Sequence, residues 1–189
     1  MTEQLREIGR RLSDLRSIME IGETEFCAAT GVTPDELSAY EKGEKDFSFS
    51  FLYSAAGLLG VDIMDIMSGD SPKLSTCSIV RAGEGFAVDR RASYSYRHLA
   101  STFKQKKAEP FLVTVEPKEE TPTLHAHEGQ EFNYMVSGRM MFYIGEMSYE
   151  LGVGDSVFFD AAVPHAMKAL GGEAARFLAV VIGSNGITH

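Results

Sequence analysis

Three histidines and one glutamate in the C-terminal part of the chain have the residue types of a metal site. His125, His127 and Glu131 lie close together, and His165 follows further along the chain. Side chains at i and i+2 of an extended segment share a face, so His125 and His127 are expected to point the same way, with Glu131 across a short loop. Each histidine alone would be interpreted as a surface loop residue. The four together predict a three-His, one-Glu site for one divalent Zn, Mn, Fe or Ni ion, provided that the fold returns His165 to the others.

The spacing around these residues resembles a known family. His-x-His-x-x-x-Glu followed by Gly138, with Gly154-Asp155 and Pro164-His165 further on, is similar to the two motifs of the cupins. The resemblance implies a small antiparallel jelly-roll barrel with the metal inside. Six short runs are the predicted strands: 110–116, 131–136, 139–144, 147–151, 156–159 and 176–182.

A ligand pocket beside the metal is predicted from the alternation of a strand. Asn133 and Met135 have the parity of Glu131 and are expected inside the barrel, whereas Phe132 and Tyr134 are expected on the other face. Tyr96 is a further candidate from the run Tyr94-Ser-Tyr-Arg-His-Leu99, although the sequence does not determine its inner face. His98 is interpreted as a structural residue.

The first third of the chain has helical rather than alternating patterning. Leu5, Ile8, Leu12 and Leu15 recur at spacings of three and four, which predicts one amphipathic helix. A second helix is expected over 23–30, ended by Gly31, and a third is opened by Thr33-Pro34 with Glu36 completing a capping box. Two more are expected near 51–59 and 61–67.

This order of helices, with Tyr40-Glu-Lys-Gly43 and Leu59-Gly-Val61, resembles the helix-turn-helix domain of Xre/lambda-repressor-like regulators. The resemblance implies that the third helix enters the DNA major groove. The DNA-binding candidates are Arg10, Arg11, Lys42 and Lys45 for phosphates, with Thr33, Asp35, Glu36 and Ala39 on the third helix. That helix presents no Arg, Lys, Asn or Gln to the bases, and residues 1–70 hold 6 Lys and Arg against 14 Asp and Glu, a charge of −8. Weak DNA binding, or binding to a protein partner, is therefore an alternative.

The composition limits the remaining possibilities. The 189 residues carry a net charge of −9 and no apolar run long enough to span a membrane, so a soluble cytoplasmic protein is expected, with the two cysteines as reduced core residues. We predict a helix-turn-helix domain at 1–68, a linker at 69–76 and a cupin domain at 77–189.

The whole layout resembles bacterial regulators that join an Xre-type helix-turn-helix to a cupin sensor of a small molecule. A homodimer held by the barrel is expected, because a helix-turn-helix monomer contacts too little DNA for a specific site and the strands have apolar residues on both faces. The runner-up is a metal-dependent cupin enzyme, a dioxygenase or an isomerase. The appended helical domain, which an enzyme would not need, and the lack of an obvious second acid or base beside the ligands argue against it.

Overall fold

A computed structural model describes residues 3–70, 74–88 and 94–183. The chain divides into two compact units, Met1–Cys77 with Thr102–Gln105 and Ser78–Ser101 with Lys106–His189. Within the expected linker, Leu74 pairs with the short segment at 102–104 through two backbone hydrogen bonds of 2.8 and 2.9 Å, which explains why that segment belongs to the first unit. Outside the described residues lie 1–2 of the expected helix-turn-helix domain, 71–73 of the linker, and 89–93 and 184–189 of the expected cupin domain.

The first unit, hereafter the helical unit, contains the five expected helices. They are α1 (Glu3–Ile18), α2 (Glu23–Thr30), α3 (Pro34–Glu41), α4 (Phe49–Leu59) and α5 (Ile63–Met67). Gly31 ends α2 in the left-handed conformation at φ 71°, which favours glycine. The capping box of α3 is formed, since the Thr33 side chain accepts from the Glu36 amide and the Glu36 carboxylate accepts from the Thr33 amide.

The helical unit is held by an apolar core and one close helix crossing. Phe51 stacks on Tyr40 at 4.2 Å between ring centroids, and Ile8 and Leu12 of α1 are fully buried. A Cβ added to Gly9 of α1 would lie 2.4 Å from the carbonyl oxygen of Tyr40, so glycine lets α1 approach the backbone of α3. This contact fixes the position of α3 against α1.

Within the described residues, the second unit contains nine antiparallel strands in two sheets. They are β1 (Phe86–Val88), β2 (Tyr94–His98), β3 (Ala108–Val115), β4 (Gln130–Ser137), β5 (Met140–Ile144), β6 (Met147–Leu151), β7 (Ser156–Asp160), β8 (His165–Ala169) and β9 (Ala175–Ile182). The six-stranded sheet has the order β1-β2-β3-β9-β4-β7 and the three-stranded sheet the order β6-β5-β8. The antiparallel β architecture is confirmed. Strands β1 and β8 were not predicted, and β8 has almost no polar alternation because four of its five residues are buried.

Tyr94 ties the two sheets of this unit together. Its hydroxyl, on β2, donates to the carbonyl of Met167 on β8 and accepts from the Met167 amide at 3.1 Å. Burial raises the pKa of this hydroxyl. The tyrosine therefore joins the two sheets at the strand that carries His165.

None of the helices in the described part of the chain is both long and apolar enough to cross a membrane.

Candidate metal centre

The loop before β4 positions His127 and Glu131. Glu131 is on the buried face of β4, and Gly129 turns the chain between the two residues at φ 93°. A Cβ at Gly129 would lie 2.2 Å from the carbonyl oxygen of Ile182, so glycine lets the loop press against the end of β9. The His127 amide donates to Ala161 at 2.9 Å, and the Ala161 amide donates to Gly129 at 3.0 Å. The loop is thus fixed by backbone contacts.

His165 reaches the same place from the other sheet. It begins β8, and its backbone exchanges two hydrogen bonds with His125, of 2.9 and 3.0 Å. Its ring packs against Phe159 of β7, 4.7 Å between centroids. The fold therefore returns His165 to the His127 loop, as the sequence spacing required.

His127, Glu131 and His165 form a buried group of possible metal ligands. One ligand atom from each lies within 4.8 Å of the others, and all three residues are buried. The Oε2 atom of Glu131 is 3.3 Å from Nε2 of His127 and 3.9 Å from Nε2 of His165. A metal ion about 2.0–2.2 Å from each ligand atom needs ligand atoms roughly 3.0–3.5 Å apart, so the group is close to that spacing.

The outer hydrogen bonds of both imidazoles leave Nε2 available for a metal. Nδ1 of His127 lies 3.0 Å from the carbonyl of Glu128, and Nδ1 of His165 lies 2.9 Å from the carbonyl of Val163. A carbonyl only accepts, so each Nδ1 donates its proton, which leaves Nε2 as the nitrogen that a metal would bind. Two ring nitrogens and a carboxylate oxygen that face one another in a buried place suit a cation between them. The donor set therefore fits a divalent metal.

Burial also favours the neutral, metal-binding form of His165. Desolvation lowers the pKa of His165, while the hydrogen bond to Val163 and the charge of Glu131 act in the opposite direction. A metal ligand must be deprotonated at the binding nitrogen. The shift thus acts in the direction that metal binding requires.

His125, the fourth expected ligand, is not in this group. Its side chain is exposed, and the ligand group of the described residues contains only the other three. The expectation assumed one regular strand through residues 125–127, but residues 126 and 127 are not in a strand and β4 begins only at Gln130. The i, i+2 rule does not apply to such a segment, so His125 and His127 need not share a face.

Residues 111–181 match a protein-family model described as the cupin domain. The match includes His127, Glu131 and His165. The second unit contains a cupin domain. No curated protein matches the chain in sequence.

Two kinds of solved structure are similar to the chain over nearly its full length. An HTH_3 family transcriptional regulator from Vibrio cholerae is 20% identical, with a TM-score of 0.69 over 95% of this chain and 96% of that chain. Hydroxypropylphosphonic acid epoxidase from S. wedmorenis is 24% identical, with a TM-score of 0.53 over 96% of this chain and 100% of that chain. Its Fe(II) form with an alternative substrate, (S)-1-HPP, is 23% identical, with a TM-score of 0.52 over 96% and 100% of the two chains.

These similarities establish the two-part fold, a helix-turn-helix unit followed by a cupin unit. They also correct one argument from the sequence. The epoxidase is covered over its whole length, so an enzyme can carry the same helical unit, and that unit does not argue against catalysis.

The expected pocket residues of the cupin unit lie on its inner face. Asn133 and Met135 are each 1% exposed and alternate with Phe132 and Tyr134, as the parity of β4 predicts. Tyr96 pairs in register with the buried Val113, which places it on the inner side of β2, three strands from β4. Its ring contacts Phe111.

A buried histidine–glutamate pair, which the sequence analysis did not predict, lies on the same inner face as the ligand group. Nε2 of the fully buried His98 is 2.6 Å from Oε2 of Glu109, and the Ala100 amide donates to Nδ1 of His98. Nδ1 accepts, so Nε2 carries the proton that is shared with Glu109. Glu109 pairs with Val181, which pairs with Glu131 on its other side. Strand parity would have placed Glu109 with Phe111 and Val113, but no motif pointed to it.

Within the helical unit, two of the four expected phosphate contacts bind other groups of the same unit. Arg11 donates to the carbonyls of Ile66 and Met67 at 2.8 and 2.7 Å, at the end of α5. Lys45 pairs with Glu36 and lies over the ring of Tyr40. Arg10 and Lys42 are exposed and make no ion pair with any described residue.

The expected positions on α3 divide in the same way. Thr33 and Glu36 form the cap, and the hydrogen bond from Lys45 lowers the pKa of Glu36. Asp35 is exposed, and Ala39 is half-buried. The start of α3 is therefore acidic, although Lys45 offsets one of its two carboxylates.

Proposed function

We propose that the protein is a cytoplasmic transcriptional regulator that binds DNA through its helical unit and senses a small molecule beside a metal ion in its cupin unit. The observation that carries the proposal is the combination of a capped α3 behind the Gly31 turn with a buried ligand group in the second unit. The regulator from Vibrio cholerae shares this two-part fold. A sensor needs two such sites and a coupling between them, typically about 1–3 kcal/mol.

The metal in this proposal is one divalent transition ion on His127, Glu131 and His165. Two imidazoles and one carboxylate leave coordination positions open for a small molecule. Asn133, Met135 and Tyr96 line the proposed ligand pocket. Two-His, one-carboxylate sites with open positions are typical of Fe(II), which we favour over Zn, Mn and Ni.

We propose that a homodimer forms through the outer face of the six-stranded sheet. Tyr134, Val136 and Phe158 are 44%, 46% and 56% exposed there. Adjacent apolar side chains on an outer sheet face indicate a covered surface. The charge-introducing variant Phe158→Glu is expected to shift the full-length protein to a monomer in analytical ultracentrifugation, whereas Val153→Glu, at a 67% exposed turn position, is expected to leave the dimer intact. A dimeric Phe158→Glu protein would place the interface elsewhere.

DNA binding is tested by selection, because the operator is unknown. Metal-loaded protein is incubated with fragmented genomic DNA, the retained fragments are sequenced, and their dissociation constants are measured at two salt concentrations. We expect a two-fold symmetric sequence and a salt slope that falls by about one when Arg10 or Lys42 is replaced by alanine. Absence of enrichment together with salt-independent retention would contradict DNA binding and favour a protein partner for the acidic helical unit.

A second candidate is a non-haem metal enzyme, which one specific observation favours. The described ligand group has two histidines and one carboxylate rather than three histidines and one carboxylate, and this is the ligand set of non-haem Fe(II) oxygenases. The His98–Glu109 pair supplies the buried acid and base that the sequence did not reveal. Metal, when bound, would supply Lewis-acid or oxygen chemistry in this candidate.

Oxygen uptake separates the two candidates. Fe(II)-loaded protein is supplied with small organic acids, and dissolved oxygen is followed with an electrode. If the protein is a regulator, it is expected to bind an acid and to consume no more oxygen than the Glu131→Gln control. Repeated turnover that depends on Glu131 would instead establish the enzyme.

A further inference from the structure

Asn133 is a buried amide for which the described structure provides no hydrogen-bond partner. The side chain is 1% exposed, and neither Oδ1 nor Nδ2 forms a hydrogen bond within the described residues. Buried polar atoms are nearly always paired, and an unpaired one costs about 1–3 kcal/mol. Both the acceptor and the donor of Asn133 therefore require a partner that the described residues do not supply.

The position of Asn133 places this requirement next to the ligand group. Asn133 is two residues beyond Glu131 on β4, on the same buried face, and so about 7 Å further along the strand. Its neighbours in register are Val157 on β7 and Ala179 on β9. Both are apolar, and Ala179 is small, so they offer no hydrogen bond to the amide and Ala179 occupies little space beside it.

The charge of the proposed metal site selects the kind of molecule that fits between the metal and Asn133. Glu131 contributes one negative charge, so a divalent ion on the three ligands leaves a net positive charge that attracts a single anionic oxygen group. The neutral amide of Asn133 has both a donor and an acceptor to satisfy. A molecule with one carboxylate and one hydroxyl, a few bonds apart, satisfies the metal and both atoms of the amide.

We propose that Asn133 directly binds a small hydroxy monocarboxylic acid held at the His127–Glu131–His165 metal site, and selects it over oxo acids and simple acids. Nδ2 donates to an oxygen of the acid, and Oδ1 accepts from its hydroxyl. This inference rests on the proposed metal site, but it holds for either a sensor or an enzyme. Asn133 is then a residue that determines specificity and is not a metal ligand.

The test compares three probe acids on the Co(II)-loaded full-length protein. Lactate carries the hydroxyl, pyruvate replaces it by a carbonyl, and acetate has neither. Binding is measured from the visible Co(II) absorption and, independently, from the shift of the unfolding midpoint. Wild-type protein is expected to bind lactate at least about fivefold more tightly than pyruvate, the effect of one hydrogen bond, and acetate most weakly.

Two variants of Asn133 and one control variant complete the test. Asn133→Leu is expected to retain Co(II) but to bind lactate and pyruvate with equal, reduced affinity. Asn133→Asp, which keeps the side-chain shape, is expected to retain Co(II) and weaken both acids by charge repulsion. Thr114→Val removes a polar group from a half-buried position on the opposite face of the sheet and is expected to keep the wild-type preference.

The outcomes distinguish this inference from the metal site on which it rests. Wild-type protein that holds no Co(II) would overturn the metal site and the inference together. Protein that holds Co(II) but binds lactate and pyruvate equally, or keeps its preference in Asn133→Leu, would overturn only the role of Asn133. Loss of Co(II) in both Asn133 variants would overturn it too, because Asn133 would then support the metal ligands.

Discussion

The partly buried arginines of the helical unit and the polar residues on the buried face of β4 in the cupin unit differ in their partners. In the helical unit, Arg16 pairs with both carboxylate oxygens of Glu41 at 2.7 and 3.2 Å, and Arg11 bonds to the carbonyls at the end of α5. In the cupin unit, Glu131 faces the Nε2 atoms of two histidines, and Asn133 has no hydrogen-bond partner within the described residues. These cations of the helical unit stabilise the unit itself, whereas the His127–Glu131–His165 group and Asn133 of the cupin unit are polar groups that a bound ligand would complete.

The existing partners of a polar group determine how much free energy a new ligand can contribute. An exposed cation that already has a partner gains little from a new one, since the old interaction is lost. A buried group without a partner gains its full desolvation cost when a ligand arrives. A bound group is therefore best supported at the cupin centre, whereas the proposed DNA binding would use exposed cations such as Arg10 and Lys42.

The strongest change is expected at the proposed metal ligands of the cupin unit. Protein purified without chelator is expected to hold one equivalent of divalent metal by elemental analysis. His127→Ala, Glu131→Gln and His165→Ala should each weaken binding by more than the roughly 10- to 100-fold that loss of an outer hydrogen-bond partner costs. His125→Ala is the matched control and should retain the metal. Full metal content in both His127→Ala and Glu131→Gln would mean that the site is wrong.

The next effect concerns the close crossing of α1 and α3 in the helical unit. Gly9→Ala should lower the free energy of unfolding by about 2–3 kcal/mol, because its Cβ would meet the backbone at Tyr40 and Glu41. Gly57→Ala in α4 meets no atom within 4 Å and should stabilise by up to about 1 kcal/mol through helix propensity. Chemical denaturation measures both. Equal effects would show that α1 and α3 are not in close contact.

A smaller effect tests whether the paired cations of the helical unit stabilise it. Arg16→Met should cost about 1–2 kcal/mol, because the charged hydrogen bonds to the partly buried Glu41 are lost. Arg10→Met changes an exposed residue and should stay within about 0.5 kcal/mol. If the two variants had the same free energy of unfolding, the Arg16–Glu41 pair would not stabilise the helical unit. Arg16 could then leave Glu41 for a DNA phosphate at no cost.

The smallest effect links charge at α3 to DNA affinity. The double variant Asp35→Asn, Glu36→Gln removes two carboxylates and releases Lys45, while glutamine keeps the cap position. Non-specific DNA binding should tighten a few-fold, and more at low salt than at high salt, because repulsion is screened least there. Fluorescence anisotropy at two salt concentrations measures this. Unchanged affinity at low salt would indicate that these carboxylates do not face DNA.

Local features of the fold could be predicted from the sequence. The Gly31 stop and the Thr33–Glu36 cap depend on residues within four positions of one another, and the burial of Glu131, Asn133 and Met135 follows from the alternation of one strand. Such features are determined by backbone geometry and nearby side chains. They therefore depend little on how the rest of the chain packs.

Features that depend on packing between distant residues could not be predicted. Nothing near Arg11 indicates that its guanidinium binds carbonyls at Ile66 and Met67, and nothing near Gly9 indicates the approach of α3. His125 illustrates the same limit at the site, because strand parity cannot be applied without knowing where the strand begins. The ligand group is set by which strands become neighbours, and that is a property of the whole sheet.

The backbone contacts around the loop that carries His127 affect the expected rate of metal exchange. The amides of His125, His127, Ala161 and His165 all donate to backbone carbonyls, and no ligand atom of the proposed metal site takes part in these bonds. The proposed ligands are therefore held by the backbone itself, and metal uptake would not have to order the loop first, unlike in domains that fold only with their metal. Entry and release of the ion should occur without local unfolding. Hydrogen exchange at these four amides should accordingly be equally slow in metal-free and metal-loaded protein.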